Sequence, residues 1–543
     1  FLMAIASLGA LILGEYAEGV AVMLFYGVGE LFQKVAVNRA RGSITELMNL
    51  RPDYAYVLEN GERVKKDPYD VQLGDVILVG AGEKIPLDGM VTEGESQLDT
   101  SKLTGESMPR LVKAGDETLS GSINLDGNLQ VRVTKDFSQS TASKILDLVE
   151  NASEKKAQSE QFITKFARYY TPIVVLAAVL LAVIPPLAKL GSFSEWIKRG
   201  LIFLVVSCPC ALVISVPLSY FGGIGKASKN GILIKGGNYL EALARLENVL
   251  LDKTGTLTKG FKVTLVQPYG DFDEATVLDY AAHAESYSNH PVAKAITTAR
   301  GKTDLARVSE FNEIIGKGAK ARIDGHSVLV GSPSLFDIQG IEYPFKADVL
   351  VAVDNVFAGG IYIEEDLKEE SISAISDLKK MGIKEIMMLT GDKQEAAAKI
   401  AEKAQVTSFR YELLPQDKVA LLEKTINGAS KKAITAFVGD GINDAPSLIR
   451  ADIGIAMGAL GTDAAIEAAD IVIMNDKLDA LPKAYAVAKK TRKIVIQNIV
   501  FALGVKLVVL ILGAFGFASM WEAVFADVGV SVIAILNAIR LLK

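Results

Sequence analysis

Six apolar segments that qualify as membrane spans constrain the fold of this chain more than any other feature. They cover about 1–14, 18–38, 168–190, 198–222, 494–517 and 520–542. A transmembrane helix needs roughly 20 predominantly apolar residues. Hydrophobic residues make up 50% of the chain, but charged residues still reach 22%, so large polar regions accompany the spans. The sequence therefore predicts a multidomain membrane protein with an α-helical transmembrane bundle of six spans.

Basic residues gather at one set of span ends and predict the orientation of the chain. They are Lys34, Arg39, Arg41, Lys165, Arg168, Lys226, Lys229, Lys489, Lys490, Arg492 and Lys493. The positive-inside rule places these ends in the cytoplasm, together with the two large polar inserts. We therefore expect an integral membrane protein of a bacterial inner or plasma membrane, with its soluble domains in the cytoplasm.

Charge and cysteine usage exclude two further classes. The net charge is −6 and no long basic run occurs, which argues against a nucleic-acid partner. The two cysteines lie one residue apart, so no disulfide framework is expected. The chain starts at Phe1 inside an apolar run, and we expect it to be part of a longer protein.

The two polar inserts differ in their patterns. The first, about 45–160, alternates Val and Ile with Gly-Asp and Gly-Glu turns, which predicts a small β-rich domain. The second, about 245–485, alternates short apolar strands with helical stretches and predicts a parallel α/β sheet. Residues of about 265–365 interrupt this second pattern and predict an inserted α+β domain.

The motif Cys208-Pro209-Cys210 lies inside an apolar stretch that covers 201–217. Proline removes a backbone donor and clashes with the preceding turn, so a helix must kink or unwind there. Two thiols beside freed carbonyls at membrane depth form a plausible site for a soft metal ion. A kinked core helix with two small buried hydrophobic side chains is the alternative, because free cysteine packs well. This window alone leaves both interpretations open.

Asp252 directly follows an apolar strand at 248–251. Ligands of open parallel sheets bind at the carboxyl ends of strands, so Asp252 is expected to project into an active crevice. A carboxylate there can act as a nucleophile and form an aspartyl-phosphate. In a related phosphatase design, an Asp at the position of Thr254 would be the general acid and base. Since threonine cannot take that role, a phosphoaspartate on Asp252 is expected to persist.

Three further strand ends supply polar groups for the same crevice. Thr390 and Asp392, in a Thr-Gly-Asp motif, offer a hydroxyl and backbone amides for phosphate oxygens. Lys418 is expected to neutralise charge on the transferring phosphoryl group. Each short motif alone is most often a turn, but their joint occurrence in this order favours phosphate chemistry. The hard oxygen ligands suited to Mg²⁺ beside the phosphate are those of Asp252, Asp440 and Asp444.

Together these motifs resemble those of the P-type ATPases, and the match covers essentially the whole chain. The matching segments are Asp252-Lys-Thr-Gly-Thr, Thr390-Gly-Asp, Gly439-Asp-Gly-Ile-Asn-Asp-Ala-Pro446 and Thr104-Gly-Glu-Ser107. The resemblance implies that ATP phosphorylates Asp252 and that hydrolysis of the phosphoaspartate drives alternating access in the membrane. It also implies that 45–160 is the actuator domain. The loop of Thr104, Gly105 and Glu106 would swing onto the phosphoaspartate, and Glu106 would position the hydrolytic water.

The resemblance also implies how the remaining domains are arranged. The phosphorylation domain, a haloacid-dehalogenase-like α/β domain, would comprise 245–264 and 366–485. The inserted nucleotide-binding domain would comprise 265–365. The membrane parts would be a hairpin at 1–44, the Cys-Pro-Cys helices at 161–244 and a second hairpin at 486–543.

Four residues of the inserted domain are expected to bind ATP, and they are Glu285, His290, Gly316 and Gly318. His290-Pro291 resembles the signature of the heavy-metal-transporting class, in which the imidazole contacts or orients the adenine end. The two glycines let the backbone approach a ligand closely. Without the resemblance, His290 would be interpreted as a residue that starts a helix.

Two charged residues within the predicted spans bear on the ion, because each is costly in lipid. Lys506 lies near the middle of the fifth span and Asp527 lies in the sixth. Thiolates at Cys208 and Cys210 and the Asp527 carboxylate carry −3, so a divalent ion and Lys506 together give neutrality. Cu⁺ would leave −2 before the lysine, and carboxylate ligation also suits Zn²⁺ better. A structural ion pair between Lys506 and Asp527 is the alternative.

Cys-Pro-Cys followed by a later Lys and Asp-x-Gly resembles the zinc/cadmium/lead class of these pumps. The implied function is ATP-driven export of Zn²⁺, Cd²⁺ or Pb²⁺, with Mg²⁺ and ATP as cofactors. Lys506 is expected to compete with the ion when the site opens outward. Glu30 is either an acceptor on the exit route or an interfacial carboxylate. The expected partners are the transported ion and the lipid bilayer, and we expect a monomer.

Two other functions stay open from the sequence. The first keeps the family and changes the ion to Cu⁺. The second is a membrane-anchored phosphatase or a metal sensor, which Thr254 and the intact Thr104-Gly-Glu-Ser107 motif argue against.

Overall fold

The chain was analysed as a computed structural model that describes most of its length. The described residues are 2–48, 52, 54–59, 62–100, 103, 109–143, 158–207, 210–288, 290–314, 317–430, 432–440, 444–458, 463–517 and 519–542. The chain forms two compact units. The first unit comprises 1–250, 377–385 and 415–543, and the second comprises 251–376 and 386–414.

Both units contain helices and strands. The described helices are α1 (Leu2–Ile12), α2 (Tyr16–Met48), α3 (Gln158–Leu187), α4 (Phe193–Val206), α5 (Cys210–Ser228), α6 (Gly237–Leu243), α7 (Glu274–Ala284), α8 (Pro291–Arg300), α9 (Pro333–Gln339), α10 (Glu369–Lys380), α11 (Gln394–Ala404), α12 (Pro415–Gly428), α13 (Ala445–Arg450), α14 (Asp463–Ala468), α15 (Ala480–Ala514) and α16 (Met520–Ile539). The described strands are β1 (Ala55–Glu59), β2 (Glu62–Lys66), β3 (Val76–Val79), β4 (Gly89–Glu93), β5 (Glu95–Asp99), β6 (Arg110–Lys113), β7 (Glu117–Thr118), β8 (Ile123–Asn124), β9 (Leu129–Val133), β10 (Ile232–Ile234), β11 (Leu246–Asp252), β12 (Thr258–Pro268), β13 (Val308–Ile314), β14 (Gly318–Ile323), β15 (His326–Gly331), β16 (Val349–Val353), β17 (Val356–Leu367), β18 (Glu385–Leu389), β19 (Ser408–Arg410), β20 (Ile434–Gly439), β21 (Ile453–Met457) and β22 (Ile471–Ile473).

Four helical ranges among the described residues are long and apolar enough to cross a membrane, by length and composition. They are Arg168–Leu187, Phe193–Ser228, Ala480–Ala514 and Trp521–Ile539. The second range includes Cys208 and Pro209, which lie outside the described residues. The predicted first span corresponds to α1, whose 11 residues rise only about 16 Å. The predicted count of six spans is therefore not confirmed.

The apolar helices of the first unit pack on one another through small and branched side chains. One cluster joins α1, α2, α3, α4 and α16, and its members include Ala6, Val22, Val174, Val205 and Ala523. Small residues let membrane helices approach closely. A second cluster joins α5 to α16 through Leu218, Ile535 and Ala538. The helices that carry the predicted ion residues are therefore held in one packed bundle.

Two β-sheets lie in the first insert of the first unit. Six strands follow the order β2-β1-β3-β9-β4-β7, and β6-β5-β8 form a smaller sheet. Their inward-facing side chains form one apolar core that includes Ile77, Leu98 and Val131. This part of the chain is β-rich, as the alternation of Val and Ile predicts.

The first unit also contains the strands that lead to the acidic motifs. Strands β20, β21 and β22 run parallel, and β10 pairs antiparallel with β22. Strand β11 is the neighbour of β20 in the sheet order. Beside it the Ile434 amide donates to the Arg245 carbonyl over 3.2 Å, and Asn248 Nδ2 donates to Thr435 Oγ1 over 3.2 Å.

The second unit is built around an antiparallel sheet in the order β12-β17-β16-β15-β14-β13. Helices α7 and α8 pack against it through Val277, Ala281 and Ile296. A separate cluster joins α9 to the sheet and includes Phe336 and Leu350. The sheet uses residues from Thr258 to Leu367, slightly more than the predicted 265–365. Strands β18 and β19 pair in parallel in the same unit.

Candidate functional site

Asp252 is the last residue of β11 and is buried, with 6% of its surface exposed. The backbone amide of Thr254 donates to its Oδ2 over 3.1 Å. This bond fixes one carboxylate oxygen toward the turn that follows the strand. The side chain of residue 254 is therefore close to the predicted nucleophile. An Asp at this position could act there as a general acid or base.

A buried lysine joins two carboxylates beside Asp252 in the second unit. The Lys253 ammonium pairs with Glu365 and with Asp392. Burial raises the pKa of Glu365, and the hydrogen bond from Lys253 acts in the opposite direction. The Asp392 amide donates to Thr390 Oγ1 over 3.1 Å. Lys253, the residue that follows Asp252, thus holds the Thr390-Gly-Asp392 turn by an ion pair with Asp392.

Lys418 and Asp444 are in contact in the first unit. Lys418 Nζ lies 2.9 Å from Asp444 Oδ1, and both side chains are largely buried. Asp440 directly follows Gly439, the last residue of β20, and Asp444 directly precedes α13. The structure therefore brings together a cation and a carboxylate that the sequence assigned to phosphoryl transfer and Mg²⁺.

A cavity of about 200 Å³ in the second unit contains three of the predicted nucleotide residues. Its lining includes Glu285, His290 and Gly318, together with Glu313 and Lys317. His290 also caps α8, because its Nδ1 accepts from the Val292 amide over 3.3 Å. His290 therefore starts a helix and also lines the cavity, and its contact with ATP stays a prediction. Gly316 lies outside the described residues.

One carboxyl group of this cavity, that of Glu285, has a raised pKa. Burial is the main reason that the pKa of Glu285 rises to about 7, and the nearby charge of Glu313 adds to the shift. Ser288 Oγ donates to Glu313 Oε1 over 3.1 Å. The cavity therefore contains a carboxyl group that changes charge near neutral pH.

Gly318 is required by the sheet as well as by the cavity. A Cβ atom on Gly318, whose φ is +152°, would lie 2.1 Å from the carbonyl oxygen of Val330. Strands β14 and β15 could not pair there with a larger residue. The close approach expected of this glycine is made to a neighbouring strand.

Lys506 and Asp527 form a buried ion pair between α15 and α16. Lys506 Nζ lies 2.5 Å from Asp527 Oδ1 and 3.0 Å from the carbonyl oxygen of Val206. Val206 is the last residue of α4, and α5 begins at Cys210. The predicted interruption of the helix thus lies next to the lysine, which binds a carbonyl at its edge.

Several predicted residues have no structural description beyond their sequence. Cys208, Thr104, Gly105 and Glu106 lie outside the described residues, and of Cys210 only the backbone is described. Glu30 is described and pairs with Lys34 over 3.2 Å, one turn along α2. That pair agrees with an interfacial carboxylate and leaves its role on an exit route a prediction.

Sequence reasoning missed three residues with positions of consequence. Lys253 stands inside the quoted Asp252 motif, but no role was assigned to it. Glu365 and Glu313 occur in exposed-looking strand stretches, and only the fold reveals their partners. The one sequence feature that could have indicated these contacts is the lysine directly after the predicted nucleophile, because a charged side chain beside a buried strand end needs acidic partners.

Comparisons with known proteins agree with both halves of the sequence argument. A family model for the P-type ATPase actuator domain matches residues 49–150. A model for haloacid dehalogenase-like hydrolases matches residues 246–452.

Curated relatives match over the whole chain. A cadmium, zinc and cobalt-transporting ATPase of Bacillus subtilis is 52% identical over 552 residues, covering 100% of this chain and 78% of the relative. A zinc-transporting ATPase of Synechocystis is 51% identical over 551 residues, covering 100% of this chain and 76% of the relative.

Solved structures match as well. The crystal structure of a zinc-transporting PIB-type ATPase in the E2·Pi state is similar with a TM-score of 0.64 and 36% identity. The similarity covers 100% of this chain and 90% of the solved chain. A second crystal structure of a zinc-transporting PIB-type ATPase gives a TM-score of 0.61 and 38% identity over the same shares.

Proposed function

The chain belongs to the P-type ATPases, and we propose that it uses ATP to export Zn²⁺ and Cd²⁺ across the membrane. The observation that carries this proposal is the buried pair of Lys506 and Asp527 at the interrupted helix that bears Cys208 and Cys210. A lysine and a carboxylate at this depth are costly in lipid, and charged residues of this kind mark ion pathways in membrane proteins. The names of both relatives include zinc. Export of Pb²⁺ is our own extension from the chemistry of the thiol ligands.

The ATPase step begins at Asp252. Its carboxylate oxygen attacks the γ-phosphorus of ATP, the bond to ADP breaks, and an aspartyl-phosphate forms. Lys418 neutralises charge on the transferring group, and the Thr390-Gly-Asp392 turn supplies a hydroxyl and amides for its oxygens. Thr254 offers no acid or base, so the phosphoaspartate persists until a positioned water attacks it.

We propose that the carboxylates of Asp252, Asp440 and Asp444 hold a metal ion, as the sequence motifs predict. Carboxylate oxygens beside a phosphate suit Mg²⁺. When bound, this ion would neutralise charge on the phosphate oxygens. Lys418, which pairs with Asp444, holds that carboxylate in place.

The inserted domain is proposed to bind ATP in the cavity of the second unit. Glu285 and His290 line one part of this cavity, and Gly318 and Lys317 line another. Both polar side chains are suited to an adenine ring, which offers donors and acceptors at its edge. Gly316, two residues before Gly318, completes the proposed set.

Residues 45–160 are proposed as the actuator domain. The family-model match to 49–150 supports this assignment. Glu106 is proposed to orient the water that hydrolyses the phosphoaspartate, with Thr104 and Gly105 placing the loop. The other proposed boundaries are those given by the sequence, including 245–264 with 366–485 for phosphorylation and 265–365 for nucleotide.

The transported ion is proposed to bind Cys208, Cys210 and Asp527. Two thiolates and one carboxylate carry −3, which a divalent ion and Lys506 bring to neutrality. Lys506 contacts both Asp527 and the Val206 carbonyl. Lys506 is therefore proposed as the counter-charge that replaces the ion when it leaves. Glu30 is proposed as an acceptor on the way out.

The proposed setting is a bacterial inner or plasma membrane. The apolar helices support membrane insertion, and the basic span ends support a cytoplasmic position for the soluble domains. The four apolar helical ranges are proposed to be joined by the two further apolar segments at about 1–14 and 18–38. The protein is proposed to act as a monomer.

The proposal is tested by metal-dependent ATPase activity of the purified protein in lipid. Zn²⁺ and Cd²⁺ should stimulate hydrolysis, and an acid-stable phosphoenzyme should form from ATP. Asp252→Asn is the control that must abolish the phosphoenzyme. Stimulation by Cu⁺ under reducing conditions, without stimulation by Zn²⁺, Cd²⁺ or Pb²⁺, would overturn the choice of ion.

A further inference from the structure

Four buried serine hydroxyls in the helices of the first unit lack a hydrogen-bond partner among the described residues, those of Ser7, Ser215, Ser228 and Ser531. Two of the four lie near the proposed ion ligands. They belong to Ser215 in α5 and Ser531 in α16. Both residues are buried, with 0% and 8% of their surface exposed. A buried hydroxyl without a partner is costly, above all where lipid offers no replacement.

Neighbouring hydroxyls avoid this cost by bonding to their own helix. Ser219 Oγ donates to the carbonyl of Ser215 over 2.7 Å, and Thr491 Oγ1 donates to that of Val487 over 2.8 Å. Ser207 does the same with Phe203 over 2.6 Å. This bond to a carbonyl four residues earlier is open to serine in any helix. Ser215 and Ser531 do not make it, so their hydroxyls remain available to another group.

The two serines lie at similar distances along their helices from the proposed ion ligands. Ser531 follows Asp527 by four residues, which is about 6 Å along α16, and Ser215 follows Cys210 by five, about 7.5 Å along α5. Both helices run from the ion ligands toward the basic, cytoplasmic ends that contain Lys226 and Arg540. Helices α5 and α16 pack on each other through Leu218, Ile535 and Ala538. Each hydroxyl is thus about one turn on the cytoplasmic side of a ligand.

Further polar contacts continue from this level to the cytoplasmic end of α16. Asn498 Nδ2 donates to the Ala534 carbonyl over 3.0 Å, and Asn537 Nδ2 donates to Asn498 Oδ1 over 2.9 Å. Arg540 Nη1 donates to Asn537 Oδ1 over 2.9 Å. Hydrogen bonds of asparagine between membrane helices can be explained by their contribution to helix packing. The hydroxyls of Ser215 and Ser531 make no such contribution, because they bond to no described group.

We propose that the hydroxyls of Ser215 and Ser531 form an access site, which binds the incoming divalent ion before it reaches Asp527 and the cysteines. At the access site, the hydroxyl oxygens replace part of the water shell of the ion. About one helical turn further on, the thiolates and the carboxylate replace the rest. The asparagines carry the polar path from the cytoplasmic end of α16 to this level. The inference rests on the proposed function, because it concerns the same transported ion.

The test measures the Zn²⁺ concentration that gives half-maximal ATPase activity in lipid. Ser215→Ala with Ser531→Ala should raise this concentration about five- to tenfold and leave the maximal rate within about twofold. Ser7→Ala is the matched control, because the Ser7 hydroxyl is also buried and without a described partner. It lies in α1, away from the access site, and should change nothing. A purely structural role predicts no change in either variant, since no hydrogen bond is removed.

A second variant gives a chemical signature. Ser531→Cys places a thiol at the access site and should lower the half-maximal concentration of Cd²⁺ more than that of Zn²⁺, because the softer ion prefers sulfur. Unchanged half-maximal concentrations in the double alanine variant, or equal changes in Ser7→Ala, would overturn the access site. An unaltered ratio of Cd²⁺ to Zn²⁺ in Ser531→Cys would count against it too. A wild-type protein without any metal stimulation would instead refute the proposed function.

Discussion

The Nζ atom of Lys506 lies 2.5 Å from Oδ1 of Asp527, and both side chains are buried between α15 and α16. The same ammonium group reaches the Val206 carbonyl at the end of α4. A buried pair is weak support for stability alone, because desolvation offsets most of the attraction. The position of this pair beside the helix interruption instead suits a charge that alternates between an ion and a carboxylate.

Removal of the Lys506 side chain should slow the release of the transported ion and with it the ATPase cycle. In Lys506→Ala the Asp527 carboxylate keeps its ion without a competing ammonium, so we expect turnover to fall about tenfold. Phosphorylation from ATP should persist, because Asp252 is untouched. The measurement is single-turnover release of Zn²⁺ after phosphorylation. A variant that releases Zn²⁺ at the wild-type rate would refute the counter-charge role, and Lys506→Arg serves as the charge-conserving control.

Thr254 should determine how long the phosphoaspartate lives. Its amide already bonds to Asp252 Oδ2, so Thr254→Asp places a carboxyl group beside the phosphorylated residue. General acid and base groups contribute typically 10²–10⁴-fold, and we expect the phosphoenzyme lifetime to fall at least tenfold. Rapid-quench measurement after chase with unlabelled ATP gives this lifetime. Thr254→Asn controls for size, and an equal shortening in both variants would contradict the argument.

Lys418 should act on phosphoryl transfer and not on nucleotide binding. It pairs with the buried Asp444, so Lys418→Ala removes a charge from the transferring group and leaves Asp444 unpaired. We expect the rate of phosphorylation to fall about 10²-fold or more, by analogy with the loss of other electrostatic groups. The affinity for a non-hydrolysable ATP analogue should stay within about twofold. Recovery in Lys418→Arg would support the electrostatic role, and a parallel loss of nucleotide affinity would weaken it.

The raised pKa of Glu285 predicts a pH-dependent stability of the nucleotide domain. Its pKa is about 7 in the folded protein, above the ordinary value of 4.5. Between these values the folded state binds the proton more tightly, so the stability is full below pH 4.5 and is lost as the pH rises through 7. The loss should be at most about 3 kcal/mol.

Hydrogen exchange of α7, which ends beside Glu285, measures this change in the intact protein. The opening free energy, corrected for intrinsic exchange, should decrease between pH 5 and pH 7.5 in the wild type. Glu285→Gln should make it independent of pH. Glu313→Gln should move the transition to lower pH, because the second charge contributes to the shift. A decrease that persists in Glu285→Gln would assign it to another group.

The sequence predicted those parts of the fold and the site that depend on pattern and local chemistry. The β-rich insert and the parallel strands followed from alternation and from strand-length apolar runs. The contact of Lys506 with Asp527 is the alternative that the sequence left open beside ion binding. The lengths of the helices were predicted less well. Helix α15 begins at Ala480, well before the predicted span at 494. The apolar run gives the length of the membrane portion of a helix and not that of the whole helix.

Contacts between distant segments were beyond the sequence. Nothing in the strand that contains Glu365 indicates that Lys253 is its partner, since the two are brought together only by the fold. The packing reason for Gly318 depends on the register of β14 with β15, which pairs Gly318 with Gly331 and brings it close to the Val330 carbonyl. The proline was expected to free carbonyls in its helix, but the binding of the Val206 carbonyl by Lys506 depended on the placement of α15.

The central claim is that ATP hydrolysis at Asp252 moves a divalent ion through the site of Cys208, Cys210 and Asp527. Its most direct test is ATP-dependent accumulation of Zn²⁺ in inside-out vesicles. Wild-type protein should accumulate Zn²⁺, and Asp252→Asn, Cys208→Ala and Asp527→Ala should each reduce accumulation to the background of empty vesicles. Accumulation that persists in Asp527→Ala, or its absence in the wild type despite phosphoenzyme turnover, would contradict the account.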